Sequence, residues 1–171
     1  RFHSGKSLFL DTPEPRLDQS STYKAIQELQ MFMEYFPDSN RKTEAQLMIF
    51  NLQDKLVMKD YLTAKLYYDL GTYTGNASYT TDMRINGNNF LACITTAENA
   101  LNDYPYTSLR EDISILLLRA KHKLGSESVL EKKEERMRET IDEYYAFKNE
   151  FPESKYMKEV QKIYKEASKY V

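Results

Sequence analysis

The side chains that most often carry out chemistry are scarce in this chain. It has two histidines, His3 and His122, and one cysteine, Cys93. A metal centre needs three or four convergent ligands, and these three residues are too few and too far apart to suggest one. As a nucleophile, Cys93 would need a base and an oxyanion hole. Its place beside Ile94 in an apolar stripe predicts instead a small buried core residue. Gly5-Lys6-Ser7 has the ending of a phosphate-binding loop, but the upstream glycine of that motif falls outside the sequence. Asn76-Ala77-Ser78 fits the glycosylation acceptor pattern, and no role is assigned to it. Glu111-Asp112 would do acid–base work only opposite a second, differently tuned carboxylate. None can be placed, and at a helix start the pair complements the macrodipole. The mixed run Glu131 to Arg136 reads as a solvated helix face. No residue set supports an enzyme, and no cofactor or metal is implied.

Recognition chemistry is better represented. The chain has 14 Tyr and 8 Phe. In Tyr67-Tyr68, Tyr144-Tyr145 and Tyr104 with Tyr106, both members cannot point into one helix stripe. One of each is expected buried and the other exposed or half-exposed, and an exposed Tyr offers contact area with a polar tip. Tyr67, Tyr106 and Tyr145 are therefore candidate contacts for a protein partner. Arg110, Arg119 and His122 are a second candidate group, expected as basic side chains clustered on an exposed helix face. The net charge of −2 from 24 basic and 26 acidic side chains gives no footprint for nucleic acid.

What positions these residues is a repeat. Tyr35-Phe36-Pro37-Asp38-Ser39, Asp103-Tyr104-Pro105-Tyr106-Thr107 and Glu150-Phe151-Pro152-Glu153-Ser154 share the pattern aromatic, Pro, any residue, Ser or Thr. Eleven residues before each Pro stand Ile26, Ile94 and Ile141; eleven after stand Met48, Leu116 and Ile163. Pro ends one helix, and Ser39, Thr107 and Ser154 are expected to N-cap the next. The first Pro-to-Pro spacing is 68, or two 34-residue hairpins of tetratricopeptide length, and the second is 47.

Helical periodicity predicts seven helices, marked by Ile26–Phe36, Ala45–Leu56, Tyr61–Tyr68, Phe90–Tyr104, Leu109–Leu124, Met137–Phe151 and Tyr156–Ala167. With five Gly and five Pro in 171 residues, the fold class is all-α. The expected architecture is a right-handed superhelix of tetratricopeptide-like hairpins over residues 22–171. Residues 1–21, with Pro13-Glu14-Pro15, are expected as an extended arm, and residues 71–89 as a long exposed loop. No run is long enough to span a bilayer and no leader pattern opens the chain. Its start at Arg1 is expected of a mature or trimmed protein.

Phe36-Pro37-Asp38-Ser39, Leu52-Gln53-Asp54-Lys55-Leu56, Ala64-Lys65-Leu66-Tyr67-Tyr68-Asp69-Leu70-Gly71 and Asp103-Tyr104-Pro105-Tyr106-Thr107 occur in that order. Over roughly Leu17 to Tyr164 the sequence resembles the BamD (YfiO-like) lipoproteins of the outer-membrane β-barrel assembly machine of Gram-negative bacteria. The resemblance implies a non-enzymatic scaffold at the periplasmic face of the outer membrane, held there by an N-terminal lipid anchor. It implies as partners the periplasmic domains of the barrel-forming insertase, other lipoproteins of the machine and unfolded barrel proteins. The sequence is expected to correspond to the C-terminal tetratricopeptide-like repeats of the family, with the lipidated cysteine and first repeats falling outside it, and its loop 71–89 is expected to be longer than the family's connection. A generic tetratricopeptide adaptor gripping a peptide in its concave groove is the alternative.

Overall fold

The computed structural model describes residues 1–73 and 88–171. The interior of the expected loop, with Gly75-Asn76, Asn76-Ala77-Ser78 and Gly87, lies outside the described residues. Among the described residues every regular element is a helix: α1 Phe2–Leu10, α2 Ser20–Tyr35, α3 Lys42–Leu70, α4 Asn89–Asp103, α5 Arg110–Ser126, α6 Leu130–Glu150 and α7 Met157–Ala167. Consecutive helices pack on one another. In addition α1, α3, α5 and α7 touch in succession, whereas α2, α4 and α6 do not touch one another. One wall of close helices and one of spread helices is how stacked hairpins pack.

The three Pro turns are copies of one structure. The residue before each Pro leaves the helix with nearly the same dihedrals: φ −132, ψ 63 at Phe36, φ −130, ψ 67 at Tyr104, and φ −125, ψ 61 at Phe151. Its carbonyl then accepts the N–H of Ser39, Thr107 or Ser154. Burial repeats in the same register. Eight residues after each Pro stand Ala45, Ile113 and Val160, and eleven after stand Met48, Leu116 and Ile163; all are buried. Twelve before stand Ala25, Cys93 and Thr140, each fully buried. Cys93 is thus the second copy of a small-residue position where helices approach closely. The hydroxyls of Ser39, Thr107 and Ser154 accept the N–H groups of Arg41, Leu109 and Tyr156. Those acceptors of the hydrogen bond stand two residues before the N-cap positions Arg41, Leu109 and Tyr156, not at them.

Two expectations on the elements are corrected. Residues 1–21 are not wholly extended. Phe2–Leu10 form α1, although Gly5 and the two serines lower its intrinsic propensity, because α1 packs on α2. Phe2 is buried 5.1 Å from the Phe32 ring, and a Cβ on Gly5 would stand 2.8 Å from Leu29. Residues 11–19 remain irregular and are tied to α3, where Lys55 donates to Thr12 Oγ1 at 2.6 Å and Lys59 to the Leu17 carbonyl at 3.1 Å. The second and third predicted helices are one continuous 29-residue helix, α3. Nothing in Val57-Met58-Lys59-Asp60 breaks a helix, and the apolar stripe merely changes neighbours from α2 to α4.

Two buried clusters follow the change. Leu29, Phe32, Ala45, Met48 and Leu52 fill the space between α2 and the first half of α3. Val57 and Ala64 of α3, Cys93, Ile94 and Ala97 of α4, and Ile113, Leu116 and Ala120 of α5 fill the next. Lys121 of α5, nearly buried, joins Glu98 of α4 at 3.1 Å and Glu143 of α6 at 2.7 Å. Burial alone would lower the ammonium, yet the two carboxylates hold it above its ordinary value.

Candidate protein-binding face

The basic residues expected on an exposed face are engaged inside the molecule. Arg110 makes a two-pronged pair with Glu150 at the end of α6 and donates to the Pro105 carbonyl at 3.2 Å. Arg119 makes another with Glu159 of α7, at 2.6 and 2.7 Å, and stands 5.4 Å from the Tyr156 ring. That hydrogen bond raises Arg119 and lowers Glu159 from their ordinary values. His122 Nε2 lies 3.3 Å from Glu166, and burial lowers its pKa more than Glu166 raises it. Sequence periodicity registers that these three share α5, but not that α6 and α7 bring a carboxylate to each.

The tyrosine pairs divide as expected in one case of three. Tyr144 is buried and Tyr145 exposed, its hydroxyl donating to that of Tyr164 at 3.3 Å. Tyr104 is half-buried and Tyr106 is 90% exposed. Tyr67 and Tyr68 are both half-buried against the α3–α4–α5 cluster, because helices flank α3 there on two sides. The six candidate residues do not form one site: Arg119 and His122 face α7, Tyr145 lies on α6 and Tyr67 on α3.

A continuous open face that the sequence left unassigned lies along the first half of α3. Gln30, Met33 and Glu34 of α2 with Lys42, Gln46, Ile49, Phe50 and Gln53 of α3 line a groove of ≈ 560 Å³. Phe50 and Gln53 also line its continuation of ≈ 380 Å³, closed by Asp103, Tyr104, Pro105 and Tyr106. The far wall is fixed to α3 by Asp54, whose carboxylate accepts from Thr107 Oγ1 at 2.7 Å, Ser108 Oγ at 2.6 Å and Ser108 N–H at 3.2 Å.

Helix lengths explain why this face is open. At about 1.5 Å per residue, the 17 residues of α5 are shorter than the 21 of α6, so α6 covers α5 throughout. The 29 residues of α3 make about 43 Å, and the 15 of α4 about 22 Å. Packed from the far end of α3, α4 cannot reach back. The repeat register exposes the result. Ten and thirteen residues after Pro105 stand Ile115 and Leu118, 1% and 0% exposed in one cluster with Tyr144 and Phe147 of α6 and Val160 and Ile163 of α7. The same counts from Pro37 give Leu47 and Phe50, 59% and 46% exposed. Two large apolar residues one helical turn apart and off the main stripe were the available signal.

Among the described residues no three His, Cys, Asp or Glu side chains gather as a metal site, and no helix is long and apolar enough to cross a membrane. Burial raises the Cys93 thiol to about 12, which removes its thiolate at neutral pH. Residues 2–86 match the YfiO family, described as outer membrane lipoprotein. This similarity takes in α1 to α3 and ends before α4, so it is shorter than the expected span of Leu17 to Tyr164 and begins earlier. No curated protein matches the chain.

Proposed function

We propose that this chain is a non-enzymatic scaffold of outer-membrane protein assembly, held on the periplasmic side of that membrane, which binds other proteins through its helical hairpins. The similarity of residues 2–86 to the outer membrane lipoprotein family supplies the setting. The observation that carries the binding role is the face where Leu47, Phe50 and Tyr106 are exposed on a rigid, hydrogen-bonded frame. Exposed aromatic and apolar anchors grouped beside amide side chains are the composition of protein interfaces. The stacking of helical hairpins supports the same reading, since stacked hairpins offer an extended binding surface.

The partner that the family similarity suggests first is the periplasmic portion of the barrel-forming insertase; other lipoproteins of the machine and unfolded barrel proteins follow. Tyr106→Ala removes an exposed ring and leaves the fold untouched. In a calorimetric titration of the whole chain against those insertase domains, we expect Tyr106→Ala and Phe50→Asp each to weaken binding about tenfold or more. Unchanged affinity for both variants would reject this face. Charge reversal at Arg110 or Arg119 is not a clean test, because either change sets two carboxylates together and acts on folding.

A further inference from the structure

We infer that the open face of α3 is a seat for an amphipathic helix of a partner protein, one with bulky apolar residues on its buried side and Lys or Arg on its flanks. This rests on the protein-binding role proposed above and names the kind of segment that is bound.

The first ground is the internal repeat. The face of α5 that matches Leu47 and Phe50 is covered by helices of this same chain: Ile115 and Leu118 share one buried cluster with Tyr144 and Phe147 of α6 and with Val160 and Ile163 of α7. The fold thus shows what complements this arrangement of side chains, and α4 is too short and too far along α3 to supply it. A helix is also what the backbone chemistry admits. An extended chain satisfies its N–H and C=O groups by adding to a sheet edge, and α3 offers no free backbone along its length. A few scattered side chains, Gln30, Gln46 and Gln53 with Glu34 and Lys42, could meet some of such groups, whereas a docked helix arrives with its backbone bonds already made. The spacing of Leu47, Phe50 and Asp54 follows the ridge of α3, and helix-on-helix packing seats one ridge in the groove beside another.

Charge chooses among amphipathic helices. The lining carries Glu34, Asp54 and Asp103 against the single cation Lys42. Asp54 is met by hydroxyls and an amide, not by a cation. Basic flanks are favoured over acidic ones, more so at low salt.

Three fluorescent peptides of one length test this against the whole chain by anisotropy. The first is a helix former with Leu and Phe on one stripe and Lys on its flanks. The second has the same flanks changed to Glu, and the third has the first one's composition rearranged to alternate apolar and polar residues. We expect the first to bind at least tenfold tighter than either of the others, to gain helical circular dichroism on binding, and to lose at least tenfold in affinity with Phe50→Asp or Leu47→Ser. Both variants should keep the far-ultraviolet spectrum of the parent. Equal or tighter binding of the alternating peptide, or of the acidic helix, overturns the inference, as does indifference of the first peptide to both variants. If insertase binding is lost in Phe50→Asp and Tyr106→Ala while the helical peptide fails to bind, the helix seat falls and the scaffold reading stands. If insertase binding survives both variants, the binding face proposed above is rejected and the helix seat with it.

Discussion

Cys93 and Gly5 show how much of this fold is decided by the size of single side chains. Cys93 occupies the position held by Ala25 and Thr140 in the other copies, fully buried, and burial raises its thiol to about 12. We expect a thiol-specific reagent at neutral pH to leave the native protein unlabelled and to react at the rate of a free thiol once urea unfolds it. Labelling under native conditions would place Cys93 near the surface. Gly5 has no room for a methyl group, since its Cβ would stand 2.8 and 2.9 Å from Leu29 Cδ2 and Cγ in a side chain with no exposure of its own. Gly5→Ala should cost about 1–3 kcal/mol by overpacking, despite the better helix propensity of Ala. Urea unfolding would read this as a lower midpoint. Phe50 is the opposite case: an apolar side chain with space around it, whose removal should change stability little.

The helices owe their arrangement to a few polar ties as well as to their apolar stripes. Asp54 receives the turn between α4 and α5 through two hydroxyls and an N–H, and so sets where Tyr106 stands relative to Phe50. Asp54→Ala should cost about 1 kcal/mol, since it removes the shared acceptor of the half-buried Thr107 hydroxyl and of the exposed Ser108. It should also raise hydrogen exchange in residues 105–109 before it raises exchange in α2, and uniform loosening would show that the turn is held by packing instead. Lys121 ties α4, α5 and α6 together. Replacing it with Ala leaves Glu143 nearly buried without a counter-charge, and a loss of about 3 kcal/mol is expected, measured by denaturant titration.

At the scale of the whole molecule, α5 and α7 are joined by a row of three contacts: Asp112 with the Tyr156 hydroxyl at 3.1 Å, Arg119 with Glu159, and His122 with Glu166. The row holds the end of the stack to its middle, and it is sensitive to pH. The pKa of His122 is lowered by burial first, helped by Lys123 and Lys162 and opposed by Glu166. The folded state therefore prefers neutral imidazole, while the unfolded chain takes up a proton near about pH 6.5. Stability from this group is present above that value and lost as pH falls through it. Glu159, lowered by its bond to Arg119, loses its contribution only in the more acid range below its ordinary value of 4.5. Urea midpoints should therefore decline between about pH 7.5 and 5.5, and His122→Gln should flatten that decline. An unchanged slope in the variant would assign it to other groups.

The all-α class, the three Pro turns, the buried stripes on either side of them and the inert setting of Cys93 were determined by the sequence alone. Each rests on local chemistry: proline ends helices, and apolar spacing of three and four marks the covered side. Three things were decided only by tertiary structure. Whether Phe2–Leu10 forms a helix depends on α2 lying against it. Whether Arg110, Arg119 and His122 are free depends on carboxylates some forty residues away that α6 and α7 bring to them. Whether Leu47 and Phe50 are covered depends on the relative lengths of α3 and α4 and on where α4 begins its packing. In a stack of hairpins the residues that fix a surface come from neighbouring units, and no window of a single helix contains them.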